Sequence, residues 1–187
     1  MRHVISMNFE LLLERLKRGD EQAFRELVMR LSKRLMTVAR IYTNSDEDAK
    51  DVLQDAFILV FKKIKIFEGS EEGAMYGWIK RIIINLCLNR NQKKFRRQEK
   101  KIEDLKIDKP VPEVALNKMA HDEIMEYIFN LPDDYRKVFS LYAIEGYSHK
   151  EIAELMQITE TNSRTHLHRS RKILQANIQM AKKLVII

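Results

Sequence analysis

The 187-residue sequence holds only one cysteine, five glycines and three prolines. The single cysteine, Cys87, can form neither an intramolecular disulfide nor a CxxC metal pair, which excludes a disulfide-rich secreted scaffold and a zinc finger. The scarcity of glycine and proline argues against collagen-like repeats and turn-rich β-sandwiches. We therefore expect a helix-rich protein of a reducing compartment, the cytoplasm.

Long hydrophobic runs and catalytic motifs are also missing. The longest apolar run, residues 82–88, is interrupted by Asn85 and is far shorter than the ~20 residues that a membrane helix needs. The N-terminus carries no apolar signal-peptide segment. There is no glycine-rich phosphate loop, HExxH motif or nucleophile elbow. We expect a protein that is not exported or inserted into a membrane and that has no catalytic residues, cofactor or metal site.

Positive charge is concentrated in two blocks, although the formal net charge is only +7. Residues 89–101 hold seven Lys or Arg against one acidic residue, and residues 135–187 hold nine against four. Residues 102–134 are acidic, with three Lys or Arg against nine Asp or Glu. Charge runs are often only solvated surface, yet a basic block in each half is typical of nucleic-acid binding proteins.

Apolar residues recur at helical spacing along most of the chain, and no stretch alternates as a strand does. The first forty residues predict a helical hairpin that is broken at Gly19. A capping-box pattern at Ser45–Asp48 predicts a helix over about 46–66. A further helix begins near Met75 and continues into the basic stretch that ends near Lys101.

The second half begins with a linker. Residues 102–118 carry two prolines and few large apolar residues, a composition typical of a tether. Further on, a short capped helix, the turn Gln157–Thr159 and a long basic helix from Glu160 form a helix-turn-helix pattern. The sequence predicts an all-α fold of two small helical domains, 1–101 and 119–187, joined by this linker, with the helix-turn-helix in the second.

The early turns of the long basic helix carry side chains suited to reading base edges in the major groove. Arginine pairs with guanine, asparagine with adenine, and threonine contacts a base or a thymine methyl group. The alternative is a surface helix whose cations only keep the protein soluble. We predict contacts with duplex DNA from Asn162, Arg164, Thr165, His166 and Arg169.

An acidic stripe follows the predicted helix over 46–66. Glu47, Asp51 and Asp55 succeed one another at four-residue steps, and like charges at that spacing cost about 0.2–0.5 kcal/mol per pair. Such a face is either ordinary solvated surface or a surface that binds a basic partner. We predict a protein-binding face of Asp51, Gln54, Asp55 and Ile58.

The helix from Met75 carries a polar stripe that includes a tryptophan. A Trp flanked by cations and amides provides stacking and hydrogen bonds for unstacked single-stranded nucleic acid. The alternative is a Trp in the core, the more common place for a lone one. We predict single-strand contacts from Trp78, Lys80, Arg81, Asn85 and Asn89.

Several segments occur in an order found in a known family. In the first half they are Gly19-Asp20 with Phe24, the run from Asp48 to Phe57, and Trp78-Ile79 with Arg81-Ile82 and Asn85. In the second half they are Leu131-Pro132, Arg136, Val138-Phe139, Leu141, Glu151-Ile152-Ala153, and the run from Leu167 to Arg171. Together they resemble the two-domain extracytoplasmic-function (ECF) sigma factors of bacterial RNA polymerase, in the sigma-70 family.

The resemblance implies a non-enzymatic, cytoplasmic transcription initiation factor. The acidic face would bind the clamp helices of core RNA polymerase, and the Trp78 helix with the loop before it would open the downstream promoter element and bind the non-template strand. The C-terminal helix would read the upstream element as duplex. An anti-sigma factor is a further partner that the resemblance implies. Gln157 and Ser163 depart from the family, which usually has Gly and Val at these positions, so we expect a left-handed or otherwise strained backbone at Gln157.

Two other functions account for parts of the sequence. A helix-turn-helix regulator that acts without polymerase would leave the acidic stripe and the Trp78 face unexplained. A protein-binding helical adaptor would leave the basic helix unused. Promoter-dependent initiation with core polymerase distinguishes all three.

Overall fold

The computed structural model describes residues 2–93 and 118–184, with side-chain environments over 9–90 and 123–179. The chain divides into two compact units, Met1–Lys94 and Phe95–Ile187. The described residues form helices and connecting turns without a strand, which confirms the all-α prediction. The predicted end of the first domain, at residue 101, lies outside the described residues.

The N-terminal unit contains four α-helices. A single 3₁₀ turn, Ile64–Ile66, continues the third helix, so the helix predicted over 46–66 is confirmed with a tighter last turn. The fourth helix begins earlier than the predicted start near Met75, and its predicted continuation to Lys101 lies outside the described residues. The helices are α1 Arg2–Lys17, α2 Glu21–Tyr42, α3 Asp46–Lys63 and α4 Glu72–Lys93.

The turn between α1 and α2 confirms the predicted hairpin. Gly19 has φ +84°, a left-handed conformation that glycine adopts without steric cost. The Asp20 carboxylate then caps α2, because it accepts hydrogen bonds from the backbone N–H groups of Gln22 at 2.8 Å and Ala23 at 3.1 Å. The Arg15 Nε also donates to this carboxylate at 2.8 Å, and this bond is the main cause that lowers the pKa of Asp20.

Helix α4 packs against both α2 and α3 in the N-terminal unit. Its three consecutive isoleucines, Ile82–Ile84, are all buried, so α4 meets neighbouring side chains on more than one side. Helix α2 packs against both α3 and α4. Its buried residues include Leu27, Leu31 and Leu35, none of them measurably exposed. Within residues 72–90 of α4, the only exposed positions lie in its first turn.

The described residues of the C-terminal unit form four more α-helices: α5 Lys118–Phe129, α6 Asp133–Phe139, α7 His149–Met156 and α8 Glu160–Leu184. A π-helical turn, Ser140–Ile144, extends α6, a feature that the sequence did not reveal. Ile128 and Leu131 pack against Leu174 of α8. Across the described residues of both units, no helix has the length and apolar character needed to cross a bilayer.

Candidate functional site

The helix-turn-helix is built by local hydrogen bonds. Ser148 and Glu151 form the reciprocal capping box that starts α7: the Ser148 Oγ accepts from the Glu151 N–H at 3.2 Å, and the Glu151 Oε2 accepts from the Ser148 N–H at 2.7 Å. Gln157 ends α7 at φ 55°, ψ 43°, which is the left-handed one of the two conformations expected there. The Thr159 Oγ1 caps α8 by accepting from the Asn162 N–H at 3.1 Å.

A polar pair joins α7 to α8. The fully buried Ser163 places its Oγ 2.9 Å from the Nδ1 of His149, whose ring stacks on Tyr142 at a centroid distance of 4.6 Å. Burial is the main cause that lowers the pKa of His149, and the nearby Arg164 guanidinium adds to it. The sequence showed that Ser163 stands where the family usually has Val. It did not indicate that His149 is the hydrogen-bond partner of Ser163.

The predicted duplex-reading residues lie on α8 as follows. Leu167, Ser170 and Leu174 face the interior of the unit. Four of the five predicted contacts lie away from that strip and are exposed: Asn162, Arg164, Thr165 and Arg169. The exposed part of α8 thus carries two guanidinium groups, an amide and a hydroxyl.

The two arginines already have partners in this surface. Arg164 Nη2 lies 2.9 Å from Glu160 Oε2, one turn earlier. Arg169 Nη1 donates to the Tyr135 hydroxyl at 3.0 Å. Because these contacts are exposed, a phosphate or base edge can replace them at small cost.

His166 differs from the predicted arrangement. Its side chain is half-buried and its ring packs against Tyr135, with 5.1 Å between centroids. The Nδ1 of His166 is buried and has no hydrogen-bond partner among the described residues. The reason is helical spacing, since position 166 falls at the edge of the buried strip between Ser163 and Ser170. His166 therefore supports the packing of α8 on α6 and does not project with the other four residues.

The predicted protein-binding residues share one side of α3. Asp51, Gln54 and Ile58 are exposed. Asp55 is half-buried, and its Oδ2 lies 2.6 Å from Nη2 of Arg90 on α4. This ion pair partly neutralises Asp55, so Asp51 is the more available carboxylate.

An apolar groove between α2 and α3 adjoins the acidic residues, and the sequence analysis missed it. It has a volume of about 540 Å³. Phe24 lies edge-to-face with Phe57 at 6.2 Å and with Phe61 at 5.2 Å. The groove is lined by Phe24, Val28, Ser32, Met36, Lys50, Leu53, Gln54, Phe57, Ile58, Phe61 and Lys62. Phe24 and Val28 fit the apolar stripe of α2, so their spacing indicated core and not an open groove.

The predicted single-strand residues divide into two sets. Trp78, Arg81, Asn85 and Asn89 share one face of α4 and are half-buried. Lys80 is only 6% exposed, with its Nζ 5.9 Å from the Tyr76 ring centroid. Two residues turn a helix by about 200°, so position 80 lies opposite Trp78, and the predicted contact from Lys80 does not agree with its burial.

Comparison with known proteins accounts for both units. Residues 27–100 match a family model described as Sigma-70 region 2, and residues 121–174 match one described as Sigma-70, region 4. The ECF RNA polymerase sigma-E factor of Haemophilus influenzae is 31% identical over 181 residues, which cover 90% of this chain and 94% of that protein. The chain belongs to the ECF sigma factors.

A second relative and one solved structure are also similar to this chain. The ECF RNA polymerase sigma-E factor of Escherichia coli K12 is 28% identical over 182 residues, 91% of this sigma factor and 94% of that one. The structure of CnrH in complex with the cytosolic domain of CnrY has a TM-score of 0.48 and 23% identity, covering 92% and 97% of the two chains. In this sigma factor, region 2 spans α3, α4 and most of α2, and region 4 includes the helix-turn-helix.

Proposed function

We propose that this sigma factor binds core RNA polymerase through α2 and α3, opens promoter DNA through α4 and the loop before it, and reads the upstream promoter element through α8. The observation that carries the proposal is that one chain combines region 2, with an acidic face beside an apolar groove, and region 4, with exposed guanidinium and amide groups. Its role is to direct transcription initiation in the cytoplasm, without catalysis of its own.

The polymerase-binding surface combines charge with apolar area. Asp51 supplies a negative charge that is complementary to a basic helical partner, and such complementarity raises the rate and specificity of association. The groove beside it exposes apolar surface, with Ile58 and Phe61 each 46% exposed. Aromatic side chains such as Phe61 are enriched in protein interfaces relative to the rest of the protein surface. Charge and groove together suit an amphipathic helical partner.

The two DNA surfaces have different chemistry. On α8, Arg164 and Arg169 suit guanine edges or phosphates, and Asn162 suits adenine. On α4, Asn85 and Asn89 offer amides and Arg81 a cation to a strand that has left the duplex. This difference predicts that α8 binds closed promoters and that α4 contributes when they open.

Transcription in vitro tests the proposal. Purified core polymerase is combined with the full-length chain and with promoter fragments recovered from genomic DNA by binding to that mixture. We expect initiation from specific sites that core polymerase alone does not use. DNA binding without any dependence on core polymerase would support a simple helix-turn-helix regulator, and core binding without initiation would support an adaptor.

A single charge reversal tests the polymerase-binding surface. Asp51→Lys should weaken core affinity about tenfold, or 1.4 kcal/mol, because it replaces an attraction by a repulsion. Glu10→Lys, an equal charge change at an exposed position of α1, is the matched control. Both variants should keep the wild-type unfolding midpoint. Equal affinity of the two variants for core polymerase would show that Asp51 and its face of α3 do not form the interface.

A further inference from the structure

The loop at residues 67–71, between the 3₁₀ turn and α4, is anchored by an aromatic side chain. Phe67 is only 3% exposed, although it lies outside any helix. Its N–H donates to the Ile64 carbonyl at 3.2 Å, which continues the chain directly from the preceding turn. The Phe67 ring lies 5.3 Å from the Trp78 ring, centroid to centroid, with 38° between the planes. The loop therefore begins from a fixed point on α4.

Gly69 passes directly over this ring. A Cβ at position 69 would lie 2.4 Å from Cζ of Phe67 and 2.9 Å from Cβ of Ala74. Non-bonded carbon atoms pack at about 3.5–4.0 Å, so any side chain at 69 must displace the ring or the loop. Gly73 differs, because a Cβ there would meet nothing within 4 Å. The close approach is thus a property of Gly69 and not of Gly73, and its shortest distance is to the Phe67 ring.

We propose that Phe67, Gly69 and Trp78 are positioning residues that hold the 67–71 loop in the shape required for promoter opening. Trp78 acts through the Phe67 ring and not by stacking on an extruded base. The inference rests on the proposed function of α4 and the loop before it. Trp78 is half-buried and already in contact with Phe67, which leaves less of its ring for a nucleobase.

Preorganisation is the physical benefit of this arrangement. Extruding a base from the duplex is unfavourable, and the binding site must offset that cost. A loop that already has its bound shape loses little conformational freedom on binding, so more of the contact energy remains. The Phe67 ring fills the space beneath Gly69, which limits the conformations available to the loop.

The test uses the full-length chain with core polymerase on a duplex promoter that the wild type opens. Gly69→Ala should slow opening on the order of ten- to hundredfold, measured by permanganate reactivity of promoter thymines, because small displacements at a reacting geometry have effects of that size. Core affinity should be unchanged. Gly73→Ala is the matched control and should open DNA at the wild-type rate. On a template with a preformed bubble, Gly69→Ala should transcribe as the wild type does.

A double-mutant cycle tests the contact itself. Phe67→Leu removes Cζ and Cε1, the two ring atoms closest to a Cβ at position 69. The Gly69→Ala change should therefore cost less in the Phe67→Leu background than in the wild type, and the 2.9 Å approach to the Ala74 Cβ accounts for the cost that remains. Additive losses would overturn the assignment, because independent destabilisation at two sites adds.

Trp78→Leu separates positioning from stacking. Leucine still packs against Phe67 but offers no aromatic face, so we expect opening at close to the wild-type rate, whereas Trp78→Ala should open slowly. Equal losses in both variants would show that Trp78 stacks on a base. A Gly69→Ala variant that opens normally, or that loses core affinity and opening together, would overturn the positioning role. If the wild type itself fails to open DNA with core polymerase, the proposed function fails first.

Discussion

The two units hold their functional helices in different ways. In the N-terminal unit, α4 is buried on several sides, and its polar face is a half-buried strip between apolar neighbours. In the C-terminal unit, the fully buried side chains in the described part of α8 are Ser163, Leu167, Ser170 and Leu174, and its early turns face solvent apart from these residues and the half-buried His166. The helix proposed to open DNA is a core element, whereas the helix proposed to read DNA lies on the surface.

The interiors differ in polarity as well. Among the described residues, the buried polar or charged side chains are Lys80 in the N-terminal unit and Lys137, Ser140, Ser163 and Ser170 in the C-terminal unit. Ser163 and Ser170 are satisfied by His149 and by the Leu167 carbonyl, at 2.9 and 2.8 Å. Hydrogen bonds thus help to position α8, whereas α4 combines extensive apolar packing with the Arg90–Asp55 ion pair. Function and stability should be separable in α8 and coupled in α4.

The largest expected effect is on α4. Ile83→Ala should lower the free energy of unfolding of the N-terminal unit by about 2–5 kcal/mol, because it leaves a cavity at a fully buried site. Trp78 is the sole tryptophan, so its fluorescence during denaturant unfolding reports on this unit. Met29→Ala, at a site 75% exposed, is the control. A small loss for Ile83→Ala would contradict the view that α4 forms the core.

On α8, Arg164→Ala should lower DNA affinity and leave the stability of the C-terminal unit nearly unchanged. Its ion pair with Glu160 is exposed, so the unfolding midpoint should change little. DNA affinity should fall by about 1–3 kcal/mol if the guanidinium reads a base edge, and discrimination at one position should relax. Lys172→Ala, exposed further along α8, is the control for general charge loss. Titrations of matched promoter variants measure both quantities, and an unchanged affinity would remove Arg164 from the interface.

At the turn before α8, we expect a substitution to raise the stability of the C-terminal unit, by a smaller amount than the losses predicted above. Gln157→Gly should stabilise the C-terminal unit by about 1 kcal/mol, because a non-glycine residue at φ 55° carries a left-handed backbone cost. Gln175→Gly, at an exposed position inside α8, should destabilise the same unit by about as much. Circular dichroism of thermal unfolding compares the two. Destabilisation by both changes would mean that the Gln157 side chain contributes to the turn.

The smallest expected effect is a pH dependence from His149. Its folded-state pKa lies below the ordinary value of 6.5, so folding favours the neutral ring. The stability it contributes is therefore complete above pH 6.5 and is lost as pH falls through the lowered folded value. Unfolding of the C-terminal unit at pH 7.5 and at pH values below 6.5 should differ less in His149→Gln than in the wild type. His168→Gln, exposed on α8, should keep the wild-type difference.

Local signals in the sequence predicted most of the helices. Ser148 with Glu151, Gly19 with Asp20, and the strained backbone at Gln157 were identified because caps and turns depend on residues only a few positions apart. The ordered motifs from Gly19 to Arg171 were sufficient to indicate the family. The π-helical turn after α6 had no such signal, since it requires only a shift in backbone hydrogen bonding.

The sequence by itself determined the helical class, the order of the helices and the membership of the ECF sigma factors. Tertiary packing decided which side of each helix is available. It buried Lys80, turned His166 against Tyr135, paired Asp55 with Arg90, and left an open groove where the spacing of Phe24 indicated core. The physical reason is that helical periodicity describes one helix at a time. The partner of each face is set by contacts between residues far apart in the chain, as when Gly69 passes over the Phe67 ring that packs against Trp78.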